Sequence, residues 1–213
     1  MPTRIQQLAR KGEQWLHKKH EIGTVDGITL VDVYDYTPYF RKTITAAVQL
    51  IKENDHRRFI RLRSHINSIV NATRPFGGAA YFHETKMCEI DFQPKPRSEY
   101  EVQFYAAWYA CTLVHEATHG VLRSHGIPYT PENRNQIEKL CMTEEVRFAR
   151  HLRIDPRILT WLQHKLQFDP ARWHGHWAST RWQKFILTLR RIRSRYREEE
   201  RQRRAEGSHH IPS

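Results

Sequence analysis

The sequence predicts an α+β domain. It should be mainly helical, with a small three- or four-stranded sheet packed on one long helix and a basic helix towards the C-terminus. Three observations predict this. Short runs rich in β-formers, bounded by turn residues, crowd residues 66–92. Two segments with apolar residues at helical spacing follow, over about 99–124 and 131–152. Beyond residue 178 an apolar stripe of Phe185, Ile186, Leu189 and Ile192 runs through an arginine-rich stretch.

Taken in order, residues 4–18 carry Ile5, Leu8, Trp15 and Leu16 on one side of a short amphipathic helix. Gly23 to Gly27 reads as a turn. Residues 28–36 are rich in β-formers, as a strand or as an extended approach to the next helix. Pro38 opens a helix with Ile44, Ala47, Val48 and Ile51 at helical spacing. Arg57 to Arg63 is ambiguous, a solvated basic helix face being its simplest reading. Residues 66–71 and 79–84 read as strands and 87–92 alternates as a third, with a loop at 74–78. Ser98-Glu-Tyr-Glu101 has the form of a capping box behind Pro94 and Pro96, so a helix should start at about Glu99. It should end near His125-Gly126, since glycine commonly terminates helices. Thr130 as N-cap and Pro131 at the first helical position open the next helix, which should stop before Asp155-Pro156. Ile158 to Leu162 begin a further helical piece, broken at Phe168-Asp-Pro170. Trp173, His174, His176, Trp177 and Trp182 form an aromatic and histidine cluster, read as packing against the domain. Residues 178–204 predict a long basic helix, in which Glu198–Glu200 support Arg201, Arg203 and Arg204 by i,i+3 and i,i+4 pairing.

Composition bounds the function. At 213 residues and 39% hydrophobic content, the chain is one domain with an appendage. No run of 18 apolar residues is present to span a membrane, and the polar N-terminal stretch does not resemble a signal peptide. Cys88, Cys111 and Cys141 are odd in number and lack CxxC spacing, which fits a reducing cytoplasm rather than a disulfide framework. The net charge of +12 points to an acidic partner: nucleic acid, an anionic surface or an acidic protein. Much of it is local, with ten Lys or Arg against four Glu over residues 181–206. No phosphate-cradling glycine loop and no recognisable nucleic-acid-binding motif occurs.

The chemistry lies in the first of the two long helices, where residues 115–119 read His-Glu-Ala-Thr-His. Histidines four apart lie on nearly one face of a helix, separated by a rise of about 6 Å, so both imidazoles can reach one zinc ion. Glu116 follows the first ligand and can take a proton from a zinc-activated water. The apolar surroundings Cys111, Leu113, Val114 and Leu122 imply a buried helix, where charge needs a partner or a metal. His115 and His119 as ordinary hydrogen-bonded core residues are the bland alternative.

On Val114-His115-Glu116-Ala117-Thr118-His119 and its helix, the chain resembles the zincin metallopeptidases over about residues 65–155. The resemblance implies zinc held by His115 and His119, Glu116 as general base, and a sheet whose edge strand holds extended substrate. The chain as a whole is expected to divide into a zincin-like catalytic domain over residues 1–177 and a basic C-terminal helical extension and tail over 178–213.

A catalytic zinc usually has a third protein ligand and an open position. Counting equal rise along two antiparallel helices lands about eight residues into the second, near 139. Glu138 is the closest acid. It lies 19 residues after His119, a spacing similar to that of the thermolysin-like gluzincins, where a Glu of the following helix is the third ligand. Glu145 shares a helical stripe with Glu138 and Cys141 and is the alternative, about 10 Å further along. The segment Glu144-Glu145-Val-Arg-Phe148-Ala149 is similar to one in metallopeptidases that cleave phage-type repressors, where such a Glu is the ligand. As a non-ligand, Glu145 would accept a hydrogen bond from a zinc-bound histidine. His125 sits at the third histidine of the metzincin pattern, but Leu122 stands where that pattern needs glycine. Cys141 is a soft donor on the same stripe, read as packed. Arg123, Tyr129 and His151 are candidates for stabilising an oxyanion.

The functional expectation is therefore hydrolysis of peptide bonds in a peptide or protein substrate by zinc-activated water, with His115, His119 and Glu138 as ligands. The alternative is a non-catalytic zinc-containing regulatory module that binds nucleic acid or another partner through its basic tail.

Overall fold

A computed structural model describes residues 18–34, 37–74, 77–92, 95–152, 154–167 and 186–194, with the single residues 183, 197 and 200. The N-terminal amphipathic segment up to residue 17, the cluster from Trp173 to Trp182 and the final turns of the basic helix lie outside them.

The described chain is α+β and mainly helical. Its strands are β1 (Glu21–Val25), β2 (Ile28–Asp32), β3 (Ser68–Asn71), β4 (Ala79–Phe82) and β5 (Met87–Ile90). They form one five-stranded mixed sheet in the order β1-β2-β3-β5-β4, one strand more than the sequence predicts. The extra strand is β1, which occupies part of the expected Gly23–Gly27 turn. The turn itself is only Asp26-Gly27, and both residues have positive φ (47° and 83°), as a two-residue hairpin loop requires. Lys52 Nζ and Gln49 Nε2 reach back from a helix to Asp26 at 2.6 and 2.9 Å and pin the hairpin.

Between β2 and its parallel neighbour β3 the chain runs through α1 (Thr37–Asn54) and α2 (His56–His65). Phe40, Ile44, Ala47, Val48 and Ile51 of α1 repeat at helical spacing and are completely buried. The ambiguous basic stretch is α2, capped by Asp55, whose carboxylate accepts from the Arg58 amide. Arg58 is not a solvated face residue: it pairs with Asp55 and with Glu144 of a later helix. β3 is buried along its whole length and is central to the sheet. Asn71 Nδ2 donates to Asp32 Oδ1 at 2.8 Å, while its Oδ1 accepts from the Phe92 amide at 3.2 Å, so one buried side chain ties the ends of β2, β3 and β5.

The long helix α3 (Glu99–Ser124) follows. Ser98 Oγ accepts from the Glu101 amide, and Glu101 accepts from the Arg97 amide, so the expected box forms with its return bond one residue early. Gly126 (φ 78°) terminates the helix, and the Ile127 amide donates back to Leu122 O, which satisfies an end carbonyl. Buried residues on several sides of α3, from Val102 to Gly120, place it between α1, α2, β4 and the next helix. That helix, α4 (Arg134–His151), starts three residues later than Pro131. The reason is Asn133, whose Oδ1 accepts from the Thr130 amide and whose Nδ2 donates to Pro128 O, locking 130–133 as a turn. α5 (Pro156–Gln167) packs on α4 through Ile158 and Leu162. Residues 186–194 are helical, and Arg191 anchors them to the buried Asp91 after β5 at 2.6 Å. No helix among the described residues is long and apolar enough to cross a membrane.

Candidate metal centre

His115 and His119 project from the C-terminal half of α3 with their Nε2 atoms 3.3 Å apart. α4 brings Glu138 against both: Oε2 lies 3.3 Å from His115 Nε2, and Oε1 lies 3.6 Å from His119 Nε2. Cys141, one turn further along α4, is completely buried. A ligand atom from each of His115, His119 and Cys141 lies within 4.8 Å of the others, so this group could hold a metal ion. This placement makes Cys141 a candidate ligand as well as a packed side chain.

The other acids separate in space. Glu145, 3% exposed, turns its Oε2 to His115 Nδ1 at 3.3 Å, on the nitrogen opposite the one facing Glu138. A carboxylate on Nδ1 fixes the proton there and leaves the Nε2 lone pair free to ligate. Glu144 points towards α2 and pairs with Arg58 at 2.9 Å and Arg147 at 2.7 Å. His125 is exposed at the helix end, with Nδ1 2.8 Å from Val121 O. Of the suggested oxyanion donors, Arg123 and His151 are exposed. Tyr129 joins the site: its hydroxyl donates to Glu138 Oε1 at 2.7 Å and its ring meets His119 edge-on at 5.5 Å.

Lys165 of α5 is a residue the sequence did not bring forward. Its Nζ lies 3.4 Å from Glu145 Oε2, behind the ligand pair. No local pattern could have found it, because only the packing of α5 on α4 places it there.

Charge in this pocket is concentrated. Burial disfavours the His115 imidazolium, but hydrogen bonds to Glu138 and Glu145 outweigh it and push the group up to about 10. Burial and the neighbouring His115 charge push His119 down to about 4. Burial would raise Glu138, yet the His115 hydrogen bond and the charges of both histidines hold it down to about 2. Burial raises Glu116, which is 5% exposed, to about 7. In the metal-free protein, then, a proton on His115 supplies the positive charge that the two carboxylates attract.

The donor set fits zinc. Ligand atoms about 2.0–2.1 Å from a tetrahedral zinc stand about 3.3–3.4 Å from one another. The His115–His119 and His115–Glu138 separations of 3.3 Å match this edge, while the 3.6 Å approach to His119 is made by the other Glu138 oxygen, Oε1. Imidazole, carboxylate and thiolate are all zinc donors.

Compared with protein-family models, curated proteins and solved structures, the chain matches none.

Proposed function

We propose that the protein is a zinc metallopeptidase in which His115, His119 and Glu138 hold the ion and Glu116 is the general base. The observation that carries this reading is the convergence, from two adjacent helices, of two Nε2 atoms 3.3 Å apart with the Glu138 carboxylate, whose Oε2 lies 3.3 Å from His115 and whose Oε1 lies 3.6 Å from His119. When bound, the ion supplies a positive charge facing a carbonyl oxygen and a water of lowered pKa. The chain's own residues do the rest. Glu145 orients His115, and the Tyr129 hydroxyl orients Glu138. Glu116, raised towards neutrality, takes a proton from the attacking water and returns it to the leaving amine. β4 is an edge strand packed beside α3, where an extended peptide could add by backbone pairing.

Cys141 favours a second reading. Structural zinc sites are closed by four protein ligands, whereas catalytic ones keep a position open. His115, His119, Glu138 and Cys141 together would close the site and make a non-catalytic zinc module. Its basic C-terminal stretch would then meet an anionic partner such as nucleic acid.

Elemental analysis and cobalt(II) spectra of wild type, Glu138→Ala and Cys141→Ala decide between the two. The peptidase reading expects one metal per chain, lost in Glu138→Ala and retained in Cys141→Ala. It also expects no thiolate-to-cobalt charge-transfer band, and cleavage of a mixed fluorogenic peptide library that Glu116→Gln abolishes. A strong charge-transfer band lost with Cys141, together with an inert wild type, establishes the closed site instead. A metal-free wild type after reconstitution at neutral pH sinks both.

A further inference from the structure

Lys165 approaches a metal ligand only through an intermediary. Its ammonium meets Glu145 Oε2 at 3.4 Å, and that same oxygen meets His115 Nδ1 at 3.3 Å. A carboxylate that is 3% exposed needs a compensating cation. Lys165 supplies that cation on the side away from the ligand nitrogen.

Several contacts on α5 deliver Lys165 to this place. Trp161, one turn earlier on α5, lies against Trp108 of α3 with ring centroids 4.3 Å apart. Trp108 is two turns before His115 and on the same stripe. Lys165 Nζ sits 5.2 Å from the Trp161 ring, and its side chain is only 18% exposed. Buried Ile158 and Leu162 hold α5 to the core on the same side. An ordinary surface lysine has none of these restraints.

We propose that Lys165 is a positioning residue of the metal centre, holding Glu145 so that the His115 imidazole keeps its Nε2 directed at the ion. The proposal rests on the metal-centre reading above and deepens it by extending the site to α5.

The test uses the full chain with zinc(II) and cobalt(II). Lys165→Met keeps the aliphatic stem against Trp161, and Lys165→Arg keeps the charge. Zinc affinity is read by competition with a chromophoric chelator, the visible spectrum of the cobalt form is recorded, and thermal denaturation is measured without metal. Loss of an outer partner of a metal-bound histidine lowers affinity by about 10–100-fold. Lys165→Met is expected to show that loss with an altered cobalt spectrum, and Lys165→Arg to recover most of it. Glu145→Gln is expected to lose as much, and the double variant Lys165→Met/Glu145→Gln no more than Glu145→Gln alone, because Lys165 acts through Glu145. A Lys165→Met protein with wild-type affinity and spectrum overturns the proposal, whatever its melting temperature, and leaves the metal centre standing. Fully additive losses also overturn it. Should Lys165→Met fail to fold, Glu145→Gln and Lys165→Arg still decide, since wild-type affinity in Glu145→Gln removes the intermediary. A wild type that binds neither metal overturns the underlying reading itself.

Discussion

Gly120 follows His119 directly, in the interior of α3. An ordinary interior glycine changed to alanine gains up to about 1 kcal/mol of helix stability. Here the added Cβ would lie 2.6 Å from His65 Cβ, 2.9 Å from His65 Cγ and 3.0 Å from the Tyr81 hydroxyl. Carbon atoms pack best at about 3.5–4.0 Å, so the end of α2 or the last turns of α3 must move by about 1 Å. His65 Cβ is fixed to backbone and cannot rotate away. Overpacking of this kind costs about 1–3 kcal/mol, which exceeds the propensity gain. Gly120→Ala should therefore be destabilised by about 1 kcal/mol, a fall in Tm of about 2–4 °C for a chain of this size. Because the displaced turn carries His119, zinc affinity should fall as well. Thermal denaturation of the metal-free protein and chelator competition measure the two effects. A Tm that rises by a few degrees, as at an exposed helix glycine, would refute the close approach of α2 to α3.

Three further outcomes are expected. Tyr129→Phe removes the hydroxyl that donates to Glu138 at 2.7 Å and should weaken zinc binding about 10-fold with little change in Tm; unchanged affinity in chelator competition would deny the tyrosine its orienting role. Asn71→Ala strips the buried link between Asp32 and the Phe92 amide and should cost about 1–3 kcal/mol in a urea titration, a loss below 0.5 kcal/mol showing that these groups find other partners. The metal-free protein should lose stability above neutral pH. His115, raised from 6.5 to about 10, stabilises fully below pH 6.5 and loses that contribution as pH rises through 10. Glu116, raised from 4.5 to about 7, loses its contribution as pH rises through 7, while His119, lowered from 6.5 to about 4, gains its own between pH 4 and 6.5. Those two nearly cancel between pH 4.5 and 6.5, so Tm should be flat there and then decline towards pH 10, while below pH 4.5 it should fall as Glu138, lowered from 4.5 to about 2, loses its contribution. Zinc affinity should rise over the same upper range, because His115 must lose its proton to ligate. A metal-free Tm that climbs from pH 7 to 10 would show that His115 holds no such proton.

What the sequence reveals and conceals follows from the range of each interaction. The start of α3 is legible because Ser98 and Glu101 cap it locally, and its end because Gly126 carries the required positive φ. The approach of Glu138 to both histidines is legible because a residue one helix away can be placed by counting rise along a short connection. β1 is not, because two glycines mask a strand whose identity depends on pairing with β2, although Asp26-Gly27 is itself a hairpin signal. The later start of α4 depends on an Asn133 side chain competing with helix hydrogen bonds, which propensity favours only weakly over Pro131. Lys165 and Cys141 take their meaning from tertiary placement. A lone lysine and a lone cysteine on amphipathic helices look the same whether they face a metal centre or not.

The proposed donors also have a position in time. His115, His119 and Glu138 all lie on α3 and α4, joined by residues 125–133, whereas the parallel pairing of Thr29 with Ser68 must close a loop through two helices. Contacts close along the chain carry the smaller closure entropy and form sooner. The donor triangle thus belongs to a helical hairpin that can assemble ahead of the sheet. An ion captured at that stage would staple the hairpin and give the slower parallel strands a finished surface on which to dock.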